Sequence, residues 1–156
     1  MTMVRRLGSQ DVVLMQAANR LFADVFGEEG YHGPPAGPDH LEKLLADDKF
    51  IALAAYVDGE MAGAIAAYEL VKFEAERSEI YIYDLAVDAA QRRRGIATAM
   101  IEELRQIARD RGAYVIYVQA DHGDDAAIAL YTKLGVREDV LHFDIAPADR
   151  SHSGAT

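Results

Sequence analysis

Between Tyr81 and Ala97 the chain reads Tyr-Ile-Tyr-Asp-Leu-Ala-Val-Asp-Ala-Ala-Gln-Arg-Arg-Arg-Gly-Ile-Ala. A strand pattern passes through a basic, glycine-containing loop into a helix, and the chemistry such a run can do is anion binding. The first N–H groups of a helix have no partner within it, and the helix dipole puts partial positive charge beside them. A diphosphate satisfies both, provided the backbone can come close to it. Gly95 and the small Ala97 permit that approach, while Arg92, Arg93 and Arg94 add positive charge. The strand before the loop carries acids and phenols. Simple alternation puts Glu79, Tyr81 and Tyr83 on one face and Ile80, Ile82 and Asp84 on the other. A carboxylate buried beside two isoleucines would be costly.

A second segment, Asp124-Asp-Ala-Ala-Ile-Ala-Leu-Tyr-Thr-Lys-Leu-Gly135, follows about thirty residues later. The first segment fits Arg/Gln-x-x-Gly-x-Gly/Ala as Arg92 to Ala97. The second is similar to Asn-x-x-Ala-x-x-Leu-Tyr-x-x-x-Gly, with Asp124 where Asn is usual, a change that keeps a helix cap. Together, and in this order, they resemble the two cofactor signatures of the GNAT superfamily of N-acetyltransferases. The resemblance implies acetyl-CoA as cofactor, with coenzyme A as product. Its diphosphate would lie on the turn Arg92, Arg93, Arg94, Gly95, Ile96, Ala97 and Thr98. Its pantetheine arm would pair with Leu85, Ala86 and Val87, and Asp124, Ala127 and Tyr131 would complete the cofactor side.

Five stretches carry the resemblance further: Phe50-Ile-Ala-Leu-Ala-Ala, Arg77 to Val87, Gly112 to Asp121, Ala129 to Gly135 and His142-Phe-Asp-Ile. They look like the aminoglycoside 3-N-acetyltransferases of the gentamicin-resistance type, over roughly Leu7 to Ile145. The activity so implied is direct attack of an amine on the thioester, without covalent enzyme intermediate or metal. Asp84, Glu79 and His142 are the candidate bases. The matching aspartate lines the aminoglycoside site in the family, whose strands carry a bulge here, and this favours Asp84. Tyr131 matches the tyrosine beside the cofactor sulfur, the candidate acid for the leaving thiolate. Substrate contacts are expected from Glu29, Glu79, Tyr81, Tyr83, Asp84, Asp121, Asp125, His142 and Asp144. Two other readings stay open: acetylation of polyamines or protein amines, and a non-catalytic acetyl-CoA-binding regulator. A pure binder needs neither Asp84 nor Tyr131.

The composition bounds these readings. With 156 residues, 51% apolar and 27% charged, the chain has the material for one globular domain. A formal charge of −10 argues against nucleic acid and for cationic ligands. Zero cysteines exclude disulfides, thiolate metal sites and a cysteine nucleophile, and the five histidines show no metal-ligand spacing. No apolar run reaches bilayer-spanning length and the first residues lack a signal-peptide core, so the expected compartment is the cytoplasm, with no membrane partner. A homodimer is the assembly the resemblance allows.

These residues need elements to hold them. Hydrophobic periodicity predicts a strand at Met3–Leu7, then a helix over Gln10–Phe26 capped by Ser9, with Leu14, Ala18, Leu21 and Val25 as its stripe. A glycine- and proline-rich loop covers 27–38, and a short helix Asp39–Ala46. Strands follow at Phe50–Val57 and Met61–Val71 around an Asp58-Gly59 turn, and at Glu79–Val87. The main helix is Gly95–Arg111, with Ala97, Met100, Ile101 and Leu104 inward. A strand at Tyr114–Ala120, a helix at Asp124–Leu134 and a final strand at Leu141–Ile145 complete the set. This is an α/β fold with a mixed central sheet flanked by helices. The GNAT resemblance adds that the parallel strands Glu79–Val87 and Tyr114–Ala120 splay apart. Residues 1–147 are read as a single domain and 148–156 as a disordered tail.

Overall fold

A computed structural model describes residues 1–27 and 34–149. The chain divides into two compact units, residues 1–119 and 120–156. In the first unit, five strands pair in sequence order: β1 (Thr2–Arg6), β2 (Phe50–Val57), β3 (Glu60–Val71), β4 (Ser78–Val87) and β5 (Ala113–Val118). Neighbours from β1 to β4 run antiparallel, whereas β4 and β5 run parallel. The β2–β3 turn places Asp58 at φ 51° and Gly59 at φ 82°. Two successive positive φ values are what a tight two-residue hairpin requires.

Two helices, α1 (Val12–Phe26) and α2 (Pro38–Ala46), pack on one face of the sheet. That face is lined by Ala52, Ala54, Ala64, Ala66 and Ala86, so Met15, Ala18 and Phe22 of α1 can press close to the strands. Of the expected stripe of α1, Ala18 is buried, while Met15 and Phe22 take the places of Leu14 and Leu21, which with Val25 pack half-buried beside them. Ser9 is not the cap. Asp11 precedes the helix, and its carboxylate accepts instead from the Gly8 N–H at 2.7 Å.

The helix α3 (Ile96–Arg111) contacts the sheet through Ile96, Met100, Ile101, Leu104 and Ala108. Met100, Ile101 and Leu104 are buried as expected, but the first buried residue is Ile96, one turn before Met100 on the same face, and Ala97 is only half-buried. Gly63 on β3 makes this packing possible. A Cβ there would stand 2.9 Å from Met100 Cε and 3.1 Å from Ile96 Cγ2. At its far end α3 is tied down by Arg111, which donates to Glu69 Oε1 at 2.7 Å and to the Asp48 carbonyl at 2.7 Å. Burial alone would raise the Glu69 carboxyl. Hydrogen bonds from Ser78 and Arg111 and the charges of Lys49 and Arg111 outweigh it and hold Glu69 below the ordinary carboxylate range.

The second unit holds α4 (Asp125–Leu134), followed by Gly135. The strand expected at Leu141–Ile145 does not form. Residues 136–149 carry no regular secondary structure, and Leu141, Phe143 and Ile145 are strongly exposed. Alternating apolar residues make a strand only where a neighbour supplies the ladder hydrogen bonds, and no described strand pairs with this stretch. Residues 150–156 lie outside the described residues.

Candidate active site

The β4 strand resolves the conflict its sequence poses. Ala67 pairs with Ile82 but Ala66 pairs with Asp84, so Tyr83 is an extra residue in a β-bulge. Directly paired residues share a face, and the bulge therefore reverses the alternation. Ile80 and Ile82 stay fully buried. Asp84 joins Ala66 on the opposite face, the one carrying Glu79 and Tyr81. A half-buried carboxylate beside phenols costs far less than one among isoleucines.

Phenols surround this carboxylate. Burial raises the Tyr68 hydroxyl above its ordinary pKa, and the charges of Tyr83 and Asp84 add to it. Burial likewise raises Tyr81, with smaller contributions from Tyr117, Tyr83 and Asp84. The Tyr81 and Tyr83 rings stand 5.8 Å apart. Glu79 lies one pleat away from Tyr81. It accepts from the Tyr114 hydroxyl at 2.9 Å and pairs with Lys72 at 3.5 Å, so it is already committed to structure.

The parallel β4–β5 pairing runs only from Ser78–Ala113 to Ile82–Val118. Beyond it β4 continues five residues to Val87, paired with β3 alone. Leu85, Ala86 and Val87 thus have no described strand paired to them on the β5 side, and a strand edge of that kind can take an extended ligand as an added strand.

From the end of β4 the chain enters the basic loop. Asp88 accepts from Ala90 N–H at 3.0 Å and starts a short 3-10 turn at Ala89–Gln91. Arg93 and Gly95 both take left-handed backbone conformations, at φ 65° and 74°. No side chain caps α3, and its backbone ladder begins with Ala99 N–H to the Gly95 carbonyl at 2.9 Å. A Cβ at Gly95 would meet nothing within 4 Å, so the space above it is open. Arg92, Arg93 and Arg94 are exposed around it. Gln91 Oε1 is buried without a hydrogen-bond partner among the described residues.

The remaining expected residues belong to the second unit. Asp124 caps α4 by accepting from Ala127 N–H at 3.3 Å, and Asp125 lies in the first turn. Burial, with a contribution from the Asp124 charge, pushes the Tyr131 phenol up to about 12. His142 and Asp144 are bonded to each other at 2.8 Å, and Asp121 is exposed. Glu29 lies outside the described residues. Among the described residues no acidic or histidine cluster could hold a metal, and no helix is long and apolar enough to cross a membrane.

Bulge, unpaired strand edge and uncapped helix follow one another along β4 and α3. The model of the acetyltransferase (GNAT) family matches residues 15–136. The chain belongs to this family. The crystal structure of an aminoglycoside acetyltransferase from an uncultured soil metagenomic sample is 54% identical, with a TM-score of 0.91 over 95% of this chain and 99% of that one. A second soil metagenomic aminoglycoside acetyltransferase, solved in complex with sisomicin, is 30% identical, with a TM-score of 0.87 over 94% and 97%. The ribosomal protein bS18-alanine N-acetyltransferase of Salmonella typhimurium is 29% identical over 108 residues, 69% of each chain. GNAT acetyltransferases use acetyl-CoA as acetyl donor. The chain is therefore an acetyltransferase with a mixed α/β GNAT fold.

Sequence reading missed three residues of this region. Gly63 left a signal, since a glycine inside a strand marks a close approach. Tyr68 and Tyr117 left none, because their place beside Tyr81 depends on pairing register.

Proposed function

We propose that this protein transfers the acetyl group of acetyl-CoA to an amine of aminoglycoside antibiotics, at ring position 3 as the sequence resemblance implies. The observation that carries this is the bulge, which puts Asp84 among tyrosines just past the end of the β4–β5 pairing. The fit to the cofactor rests on this chain's own features. The open space at Gly95, the uncapped first turn of α3 and the three arginines suit a diphosphate. The unpartnered Gln91 Oε1 suits an amide N–H donor such as the pantetheine arm carries.

In this mechanism Asp84 accepts a proton from the substrate ammonium and holds the resulting amine in place. Backbone N–H groups near Ala86 and Val87 polarise the thioester oxygen. Tyr131, with its phenol pushed up to about 12, is protonated at neutral pH and serves as the proposed proton donor to the departing thiolate. Arg92 to Arg94 hold the diphosphate.

The 54% identity to one aminoglycoside acetyltransferase, and the sisomicin complex of another, support the substrate class. The likeness to the bS18-alanine enzyme favours a second reading, a protein α-amine as acceptor. Expression in a susceptible bacterium, with NMR of the recovered drug, separates the two. Gentamicin resistance and a single acetamide at ring nitrogen 3 are expected. Unchanged susceptibility, with acetylation of an alanine-terminated peptide instead, would favour the second reading.

A further inference from the structure

Phe50, Tyr68, Tyr81 and Tyr117 are successive cross-strand partners, so four strands carry one aromatic row across the sheet. The row changes character where its cover ends. Phe50, under the helices, is 3% exposed and has no hydroxyl, whereas Tyr68 is 37% exposed. Tyr81 and Tyr117 stack at 4.7 Å with their planes 11° apart. The bulge residue Tyr83, 63% exposed, stands edge-on to Tyr68 and to Tyr81 at 6.2 and 5.8 Å. Tyr81 donates to Gln119 Oε1 at 3.0 Å, which fixes its ring. The buried end of the row, Phe50, needs no hydroxyl; beyond the cover the row carries tyrosines instead. This face keeps several phenol rings partly open beside Asp84.

We propose that Tyr68, Tyr81, Tyr83 and Tyr117 form a shelf that selects a rigid, ring-bearing polycation over a flexible polyamine, a specificity role that rests on reading Asp84 as the group receiving the substrate amine. Ring C–H faces and ammonium groups both carry positive charge toward the negative face of an aromatic ring. A rigid sugar or aminocyclitol ring lays a whole face on the shelf and loses few rotors in doing so, whereas a polymethylene amine loses many. The same unit already holds a cation this way: the Arg77 guanidinium lies 3.9 Å over the Tyr114 ring, whose hydroxyl donates to Glu79.

The test is calorimetric titration of sisomicin, and separately of spermidine, into the coenzyme A-saturated protein and its Tyr68→Leu, Tyr117→Leu, Tyr68→Phe and Tyr117→Phe variants, each checked for an unchanged melting profile. The leucine variants should weaken sisomicin binding about tenfold, a loss of about 1.4 kcal/mol, and spermidine binding by a clearly smaller factor, because a flexible chain lays no ring face on the shelf. The phenylalanine variants should keep the sisomicin affinity. Equal loss of both ligands, an unchanged sisomicin affinity in the leucine variants, or failure of the parent protein to bind sisomicin would each overturn the shelf. Sisomicin that binds with this pattern and is not acetylated would leave the shelf standing and remove the aminoglycoside activity instead.

Discussion

Asp84 is held where it is by one inserted residue, Tyr83, and that makes its contribution separable from packing. Asp84→Asn keeps the size and polarity of a half-buried side chain while removing the proton acceptor. We expect turnover to fall by about a hundredfold or more, the usual contribution of a general base, with the thermal midpoint little changed; pre-steady-state thiol release measures it. Full activity would leave Asp84 a positioning role. Tyr131 gives a prediction in the alkaline range. Its phenol is raised from about 10 to about 12, so between these values the folded state binds more protons than the unfolded one. Stability contributed by this shift is complete below pH 10 and lost as pH rises toward 12. Tyr131→Phe should therefore flatten the fall in stability over that window, read by denaturant titration at fixed pH, and a curve unchanged from the parent would contradict the burial of the phenol.

At the scale of elements, β4 and α3 do the positioning, and two glycines separate their tasks. Gly63 admits α3 against the sheet, and Gly95 keeps the approach to its first turn open. Gly63→Val should cost about 1–3 kcal/mol by overpacking against Met100 and Ile96. Gly95→Ala meets no neighbour, so only its left-handed backbone is strained, by about 1–2 kcal/mol. Because its methyl enters the space proposed for the diphosphate, it should weaken coenzyme A binding more than its stability cost implies. Calorimetry beside thermal melting distinguishes the two. Much of this frame was legible from local pattern. The Asp58-Gly59 turn, β2 at Phe50–Val57 and the basic loop entering a helix all rest on local chemistry. The clash of Asp84 with Ile80 and Ile82 also signalled a departure from alternation. Features set by pairing were not legible. The Phe50–Tyr68–Tyr81–Tyr117 row needs three registers at once, and the apolar alternation at Leu141–Ile145 carries no record of whether a partner strand exists. At the start of α3 the small Ala97 was expected inward, but the i to i+4 spacing from Met100 puts the larger Ile96 there instead.

For the molecule as a whole, a formal charge of −10 surrounds a site proposed to take a polycation. Such a field speeds encounter over roughly one Debye length, about 10 Å at 0.1 M salt. The kcat/KM for an aminoglycoside should fall steadily with added salt while kcat stays nearly constant, and a salt-independent kcat/KM would mean the charge serves only solubility. Which amine is chosen remains the central question. The most direct measurement is the rate of coenzyme A release, by thiol titration, with sisomicin, spermidine and an alanine-terminated peptide offered separately at equal low concentration. The account predicts a sisomicin rate at least tenfold above the other two, with an acetylated drug found by mass spectrometry. A faster rate with spermidine or the peptide, and unmodified sisomicin, would contradict it.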